Sequence, residues 1–194
     1  MRLTNSIPNL RFTIHENNIA ALLSLEDSPT ISSEQLECLR TLAEQEHMYI
    51  GISHTFFRPE SFAQYYAQAQ KALELNERLS NTSPICLYSD VSFYDLLDHS
   101  QNCETLGVFC HPALTILNRY DAKNNSDLYH TLDIFLACGC SVKNTAQALF
   151  IHRNSLNYRL ERIHTLTQIN LNDSNLCFLL RMSFAIDRYL GNTD

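Results

Sequence analysis

Two short helical patterns separated by a tight turn constrain the fold of this chain more than any other part of its sequence. Ser141 can cap a first helix that runs to about Phe150. The inner face of this helix would consist of Val142, Ala146 and Leu149. After a turn at Ile151-His152, a second helix begins near Arg153. Its apolar positions are Leu156, Leu160 and Ile163. Because this i, i+4, i+7 spacing forms one buried stripe, residues 141–165 predict two helices packed across a turn.

The rest of the chain falls into a mixed half and a helical half. Residues 11–25 predict a hairpin, residues 48–53 and 85–88 predict strands, and helices follow Ser33 and Pro59. Strand signals stop after about Asp98, and helices are predicted at 112–121, 128–138 and 173–190. We therefore expect an α+β fold, with a small α/β domain at 1–103 and an all-α bundle at 104–194.

The charge is distributed unevenly between these halves. The net charge is −7, and residues 1–120 hold seven basic and fourteen acidic side chains, whereas residues 121–194 hold seven of each. Residues 139–164 contain only one anion, Glu161, and four cations, which are Lys143, Arg153, Arg159 and Arg162. A basic stripe on an acidic protein is typical of phosphate binding, although solvated helix faces also carry such runs.

The polar face of the second predicted helix carries side chains that can read duplex DNA. In a helix-turn-helix, the second helix enters the major groove with its N-terminal residues at the base edges. Arg153 can bind guanine bidentately, and Asn154 or Asn157 can pair with adenine. The side chains placed to hold phosphates are Ser155, Tyr158, Arg159 and Arg162, together with Lys143 and Asn144 of the first helix.

The segment His152-Arg153-Asn154-Ser155-Leu156, followed by Tyr158-Arg159-Leu160, resembles the recognition helix of the PucR/CdaR family of purine-catabolism and sugar-diacid regulators. The similarity extends to residues 111–121, 144–150 and 171–173. It implies a cytoplasmic bacterial transcription regulator that binds double-stranded DNA as a homodimer. In the apolar stretch 173–190, we expect either a helix of the bundle or a dimer contact.

Residues 1–103 resemble the degenerate GGDEF-like, cyclase-related domain that precedes the helix-turn-helix in this family. Gly51-Ile52-Ser53 and Tyr88-Ser89-Asp90 carry the similarity, and the domain is expected to be incomplete at its start. The Gly-Gly-Asp/Glu-Glu-Phe signature is missing, and four glycines provide no phosphate-binding loop, so we expect no enzyme activity and no cofactor. The family further implies a small carboxylate- or purine-type effector, bound by an upstream domain outside this chain.

Other classes of function receive less support from the sequence. An enzyme would need a catalytic set, and none stands at a recognisable spacing. A ligand- or protein-interaction module that no longer uses its helix-turn-helix for DNA remains the main alternative. The cluster His99, Cys103, Cys110 and His111 could bind zinc, but core cysteines and surface histidines are the expected interpretation. No stretch approaches the ~18 apolar residues of a membrane helix, and the N-terminus predicts no secretory signal.

Overall fold

The computed structural model describes residues 9–15, 18–25, 28–99 and 103–191. The chain divides into two compact units, Met1–His99 and Ser100–Asp194, called unit 1 and unit 2 below. Unit 1 combines strands and helices, and the described part of unit 2 is entirely helical, which confirms the α+β class. The predicted domain boundary between residues 103 and 104 remains a prediction. No helix in these described ranges is long and apolar enough to cross a membrane.

Unit 1 contains two separate pairs of strands. Its elements are β1 (Leu10–His15), β2 (Asn18–Leu23), α1 (Ser33–Gln45), β3 (Ile50–Ile52), a 3-10 turn (Pro59–Ser61), α2 (Phe62–Arg78), β4 (Ile85–Leu87) and α3 (Tyr88–Asp98). β1 and β2 form the predicted hairpin, with Leu10 opposite Leu23, whereas β3 and β4 pair in parallel. The N-cap of α1 is Ser32, which forms a capping box with Gln35.

The long helix α2 follows only in part the apolar stripe that its sequence predicts. That stripe consists of Phe62, Tyr66, Ala69, Leu73 and Leu75. The buried residues of α2 are Ala72, Leu75 and Asn76. The side chain of Phe62 is 40% exposed. β3 fixes the contact because Gly51 lies against α2, where an added Cβ would stand 2.1 Å from the carbonyl oxygen of Ala69.

Unit 2 is a bundle of five helices that follow a short 3-10 segment (Cys103–Phe109) in the described residues. These helices are α4 (Pro112–Asn124), α5 (Leu128–Ala137), α6 (Val142–Ala148), α7 (Arg153–Thr167) and α8 (Ser174–Leu190). One cluster of buried side chains joins α4, α5, α7 and α8; its members include Leu114, Leu117, Leu132, Ile163, Leu180 and Phe184. α8 therefore packs into the bundle, while its Phe178 and Leu179 remain exposed.

Candidate nucleic-acid interface

The first helix of the predicted pair begins and ends through backbone signals that the sequence contains. The hydroxyl of Ser141 accepts a hydrogen bond from the backbone N–H of Asn144 at 3.3 Å, which confirms the predicted N-cap. Ala146 is buried, so α6 can lie close to α7. The helix ends in a turn where the N–H of Phe150 donates to Gln147 and that of Ile151 donates to Ala146. These two backbone hydrogen bonds form a Schellman motif.

The second helix is capped by a histidine. His152 has an extended backbone, and its Nδ1 accepts a hydrogen bond from the N–H of Asn154 at 3.2 Å. Sequence reasoning placed His152 in the turn and missed this role, because Ser, Thr, Asp and Asn are the usual N-caps. The chain repeats the device at α4, where Nδ1 of His111 accepts from Ala113 at 3.2 Å. A histidine directly before each helix was the signal available.

Buried side chains hold α7 in place, as its spacing predicts. Leu156 and Ile163 have no exposed surface, and Leu160 packs at the edge of the same core. The helix contacts α4, α5 and α6, so three neighbours fix its orientation. The opposite face is therefore presented to solvent by a rigid element of unit 2.

Seven of the nine predicted contact residues are exposed, two of them on α6 and five on α7. They are Lys143, Asn144, Arg153, Asn154, Ser155, Asn157 and Tyr158. Within the described part of the chain, the side chains of Arg153, Asn157 and Lys143 have no hydrogen bond or ion pair. The ring of Tyr158 is 70% exposed. Since Arg153 and Asn157 are four residues apart, they share one face of α7.

The other two predicted residues, Arg159 and Arg162, are half-buried instead of pointing outward. Arg159 Nη1 donates to Thr131 Oγ1 at 2.9 Å and lies 3.3 Å from Asp127 Oδ2. Arg162 Nε donates to the Tyr120 hydroxyl at 3.1 Å, and its guanidinium carbon lies 5.0 Å from the centre of that ring. Both arginines flank the buried stripe, so α4 and α5 are within their reach.

Arg159 and Arg162 line an open groove of about 680 Å³. From α7, five predicted contact residues line it, and these are Asn154, Ser155, Tyr158, Arg159 and Arg162. The opposite side consists of Tyr120, Asn124, Ser126, Asp127 and Leu128. Sequence reasoning missed that second side, because only the fold brings α4 and α5 beside α7. Lys143, Asn144, Arg153 and Asn157 do not line this groove.

The groove orients its arginines without using all of their donors. A guanidinium has five N–H groups, and Arg162 uses only Nε within the described residues. Arg159 commits only Nη1. Thr131, which receives one of these bonds, is itself fully buried. The remaining N–H groups can therefore donate to a phosphate from side chains that are already ordered.

Two members of the candidate zinc cluster, Cys110 and His111, form hydrogen bonds within unit 2. Cys110 Sγ donates to the backbone oxygen of Ser183 at 3.6 Å, and His111 caps α4. The side chain of Cys103 lies outside the described residues. Among the side chains that the structure describes, no group of three or more histidines, cysteines or carboxylates could hold a metal ion.

Two family models match separate parts of the chain. A GGDEF-like domain matches residues 2–75, and the PucR C-terminal helix-turn-helix domain matches residues 128–186. The second match includes α5, α6, α7 and most of α8, and thus the complete α7 surface described above.

The curated relatives that the chain matches are named as transcriptional activators or regulators. The chain is 27% identical to the proline-responsive transcriptional activator PutR of Bacillus subtilis, over 83% of this chain and 41% of that protein. It is 27% identical to the carbohydrate diacid regulator of Escherichia coli, over 93% of this chain and 51% of that regulator. It is 28% identical to the purine catabolism regulatory protein of Bacillus subtilis, over 73% of this chain and 26% of that protein. The chain thus spans about half or less of the length of these relatives. The chain thus contains a GGDEF-like segment and a PucR C-terminal helix-turn-helix domain, and over these parts it is similar to regulators of the PucR/CdaR type.

Proposed function

We propose that this chain is a sequence-specific DNA-binding transcription regulator that reads the major groove with the N-terminal half of α7. One observation carries the proposal. Arg153 and Asn157 are exposed on one face of a helix that the buried Leu156 and Ile163 hold rigidly. Side chains that read bases need this combination of free donors and a fixed backbone.

Within this proposal, the exposed residues divide into base contacts and backbone contacts. Arg153 would bind the O6 and N7 atoms of a guanine, and Asn157 or Asn154 would pair with an adenine. Arg159 and Arg162 would donate their remaining N–H groups to phosphates from the groove beside α4 and α5. The other backbone contacts would come from Ser155 and Tyr158 on α7 and from Lys143 and Asn144 on α6.

The family supports further parts of the proposal. A homodimer would place two α7 helices about 34 Å apart on a two-fold-related operator. We expect the protein to act in the bacterial cytoplasm and to respond to a small metabolite bound outside this chain. The relatives are named for proline, carbohydrate diacids and purine catabolism, and we assign none of these compounds to this chain as its effector. We assign no catalytic step to unit 1, because its sequence lacks the Gly-Gly-Asp/Glu-Glu-Phe signature.

Selection from a random duplex pool tests the proposal directly. We expect the wild-type chain to retain a two-fold-symmetric motif, with an affinity that falls steeply as salt rises. Arg153→Ala should relax the preference at one position of each half-site and cost about 1–3 kcal/mol on the selected duplex. Arg162→Ala should weaken binding to all duplexes alike and reduce the salt dependence.

Arg58→Ala is the matched control, because it removes one exposed arginine from unit 1. This variant should bind as the wild type does. Equal losses on every duplex for Arg153→Ala and Arg162→Ala would refute the assignment of Arg153 to base reading. A wild-type chain that retains no motif at low salt would favour a protein-interaction module instead.

A further inference from the structure

The turn between α6 and α7 contains an aromatic residue that the proposed base and phosphate contacts do not use. Phe150 is 95% exposed, the highest value among the large hydrophobic side chains that the structure describes. It follows Leu149, the C-cap of α6, and stands three residues before Arg153. The ring has no aromatic contact within the described residues.

The backbone at this position favours a different residue. Phe150 has a φ of +54°, and among described residues with positive φ it is the only one with a hydrocarbon side chain. Bulky side chains are disfavoured there, and glycine is the usual residue after a Schellman ending. The chain itself uses glycine in the equivalent place after α5, where Gly139 has a φ of +65°. Because the side chain of Phe150 is 95% exposed, it buries little apolar surface within the described part of unit 2.

The position of the ring is continuous with the surface that would face DNA. Three residues of chain can separate the Cα atoms of Phe150 and Arg153 by at most about 11 Å. That distance corresponds to about three base pairs of a duplex. The cations nearest in sequence are Lys143 and Arg153, so the turn is flanked by positive charge. An exposed apolar ring between these cations fits the apolar feature of the major groove, which is the C5-methyl group of thymine.

We propose that Phe150 is a DNA-contacting residue whose ring packs against a thymine methyl group beside the base that Arg153 reads. This inference rests on the proposed function of α7. It adds a specificity determinant that no hydrogen-bonding residue supplies, because only an apolar contact distinguishes thymine from uracil. The turn thus has phenylalanine where glycine would be more favourable, and the phenylalanine side chain recognises the methyl group.

The test compares two variants of the full chain on the duplex that the wild type selects. Phe150→Gly removes the ring and also relieves the unfavourable backbone conformation. Phe150→Ala removes the ring but keeps a Cβ at positive φ. We expect both variants to bind several-fold more weakly than the wild type. Only Phe150→Gly should raise the thermal unfolding midpoint, by a few degrees.

Replacing each thymine of the selected duplex by uracil, one at a time, identifies the partner. At one position in each half-site, the wild type should lose about fourfold in affinity, which is the expected effect of one buried methyl group. Phe150→Ala and Phe150→Gly should bind the thymine and uracil duplexes equally at that position. Sensitivity that persists in the variants would assign the methyl contact to another residue and overturn the inference.

The remaining outcomes separate this inference from the function on which it rests. Variants that bind the selected duplex as tightly as the wild type would refute the role of Phe150 while the regulator proposal stands. If they also lose self-association in sedimentation, then the ring is a contact between copies of the chain. A wild-type chain that selects no duplex would refute the proposed function, and the inference with it.

Discussion

Unit 1 and unit 2 differ in how completely their helices and strands close a core. In unit 2, one buried cluster draws side chains from α4, α5, α7 and α8, and Leu117, Leu132 and Leu180 have no exposed surface. In unit 1, α2 buries Ala72 and Leu75 completely, but the cluster of Leu39 and Ile85 meets the hairpin at Leu10 and Leu23, which are only partly buried. The hairpin contributes a single buried residue, Ala20.

This difference indicates which interactions hold each unit together. The bundle is stabilised by apolar burial, so its surface residues are free to serve other purposes. The hairpin depends more on the hydrogen bonds between its own strands, which alone give marginal stability. We therefore expect the two units to open with different free energies. The surface of α7 belongs to unit 2, and side chains that read bases would need the closed core of that unit to hold them in place.

The largest expected effect comes from a cavity in the bundle. Leu132→Ala removes a side chain with no exposed surface from α5, and it should lower the free energy of unfolding of unit 2 by about 2–5 kcal/mol. Leu22→Ala in β2 removes the same atoms from a side chain that is 43% exposed, and it should cost only about 0.5 kcal/mol. Urea unfolding monitored by hydrogen exchange measures both effects, in residues 112–190 for Leu132→Ala and in the strands β1 and β2 for Leu22→Ala. Equal losses would show that the hairpin is packed as closely as the bundle.

A second prediction concerns the close approach of the β3 backbone to α2 in unit 1. Gly51→Ala would place its Cβ 2.1 Å from the carbonyl oxygen of Ala69 and 2.9 Å from Cγ of Leu73, so β3 and α2 must separate. We expect a loss of about 1–3 kcal/mol in the stability of unit 1, with little change in DNA binding if the units act independently.

Gly107→Ala in unit 2 is the matched control, since an added Cβ there meets nothing within 4 Å. It should leave the thermal unfolding of both units unchanged. If Gly51→Ala is equally silent, the contact between β3 and α2 is looser than these distances imply.

The sequence predicts the helix-turn-helix more accurately than it predicts the contacts around it. α6 begins at Val142 and α7 at Arg153, as expected, because caps and apolar spacing are local signals. Such local signals do not predict that Arg159 and Arg162 are half-buried. Their partners Asp127 and Tyr120 lie 32 and 42 residues away, on helices that only the folded bundle brings near.

The predicted stripe of α2 is right at Leu75 and wrong at the exposed Phe62, for a related reason. Its sequence is rich in glutamine and alanine, so several weakly apolar stripes compete and no one face is favoured by spacing alone. The choice of Ala72 and Leu75 follows from packing against β3, β4 and α3, which are distant in sequence. Surfaces that depend on tertiary neighbours are therefore the parts that sequence patterns leave undetermined.

The smallest expected effect compares two tyrosine–aspartate hydrogen bonds, one in each unit. The hydroxyl of Tyr129 on α5 donates to Asp187 on α8, whereas that of Tyr88 donates to Asp95 within α3. Burial, and then the hydrogen bond to Asp187, raises the pKa of Tyr129 above its ordinary value. The hydrogen bond to Asp95, and then burial, raises the pKa of Tyr88. Only the bond of Tyr129 joins two helices, so its loss should affect tertiary packing more.

Because the folded state raises both pKa values, the folded chain keeps protons that the unfolded chain releases near pH 10. Their contribution to stability is complete below about pH 10 and is lost as the pH rises through the higher folded pKa. We expect Tyr129→Phe to cost about 1–2 kcal/mol at neutral pH and to flatten the alkaline decline in stability. Tyr88→Phe should change both quantities less. Urea unfolding between pH 8 and pH 11 measures these slopes, and a steeper decline in Tyr88→Phe than in wild type would contradict the assigned direction.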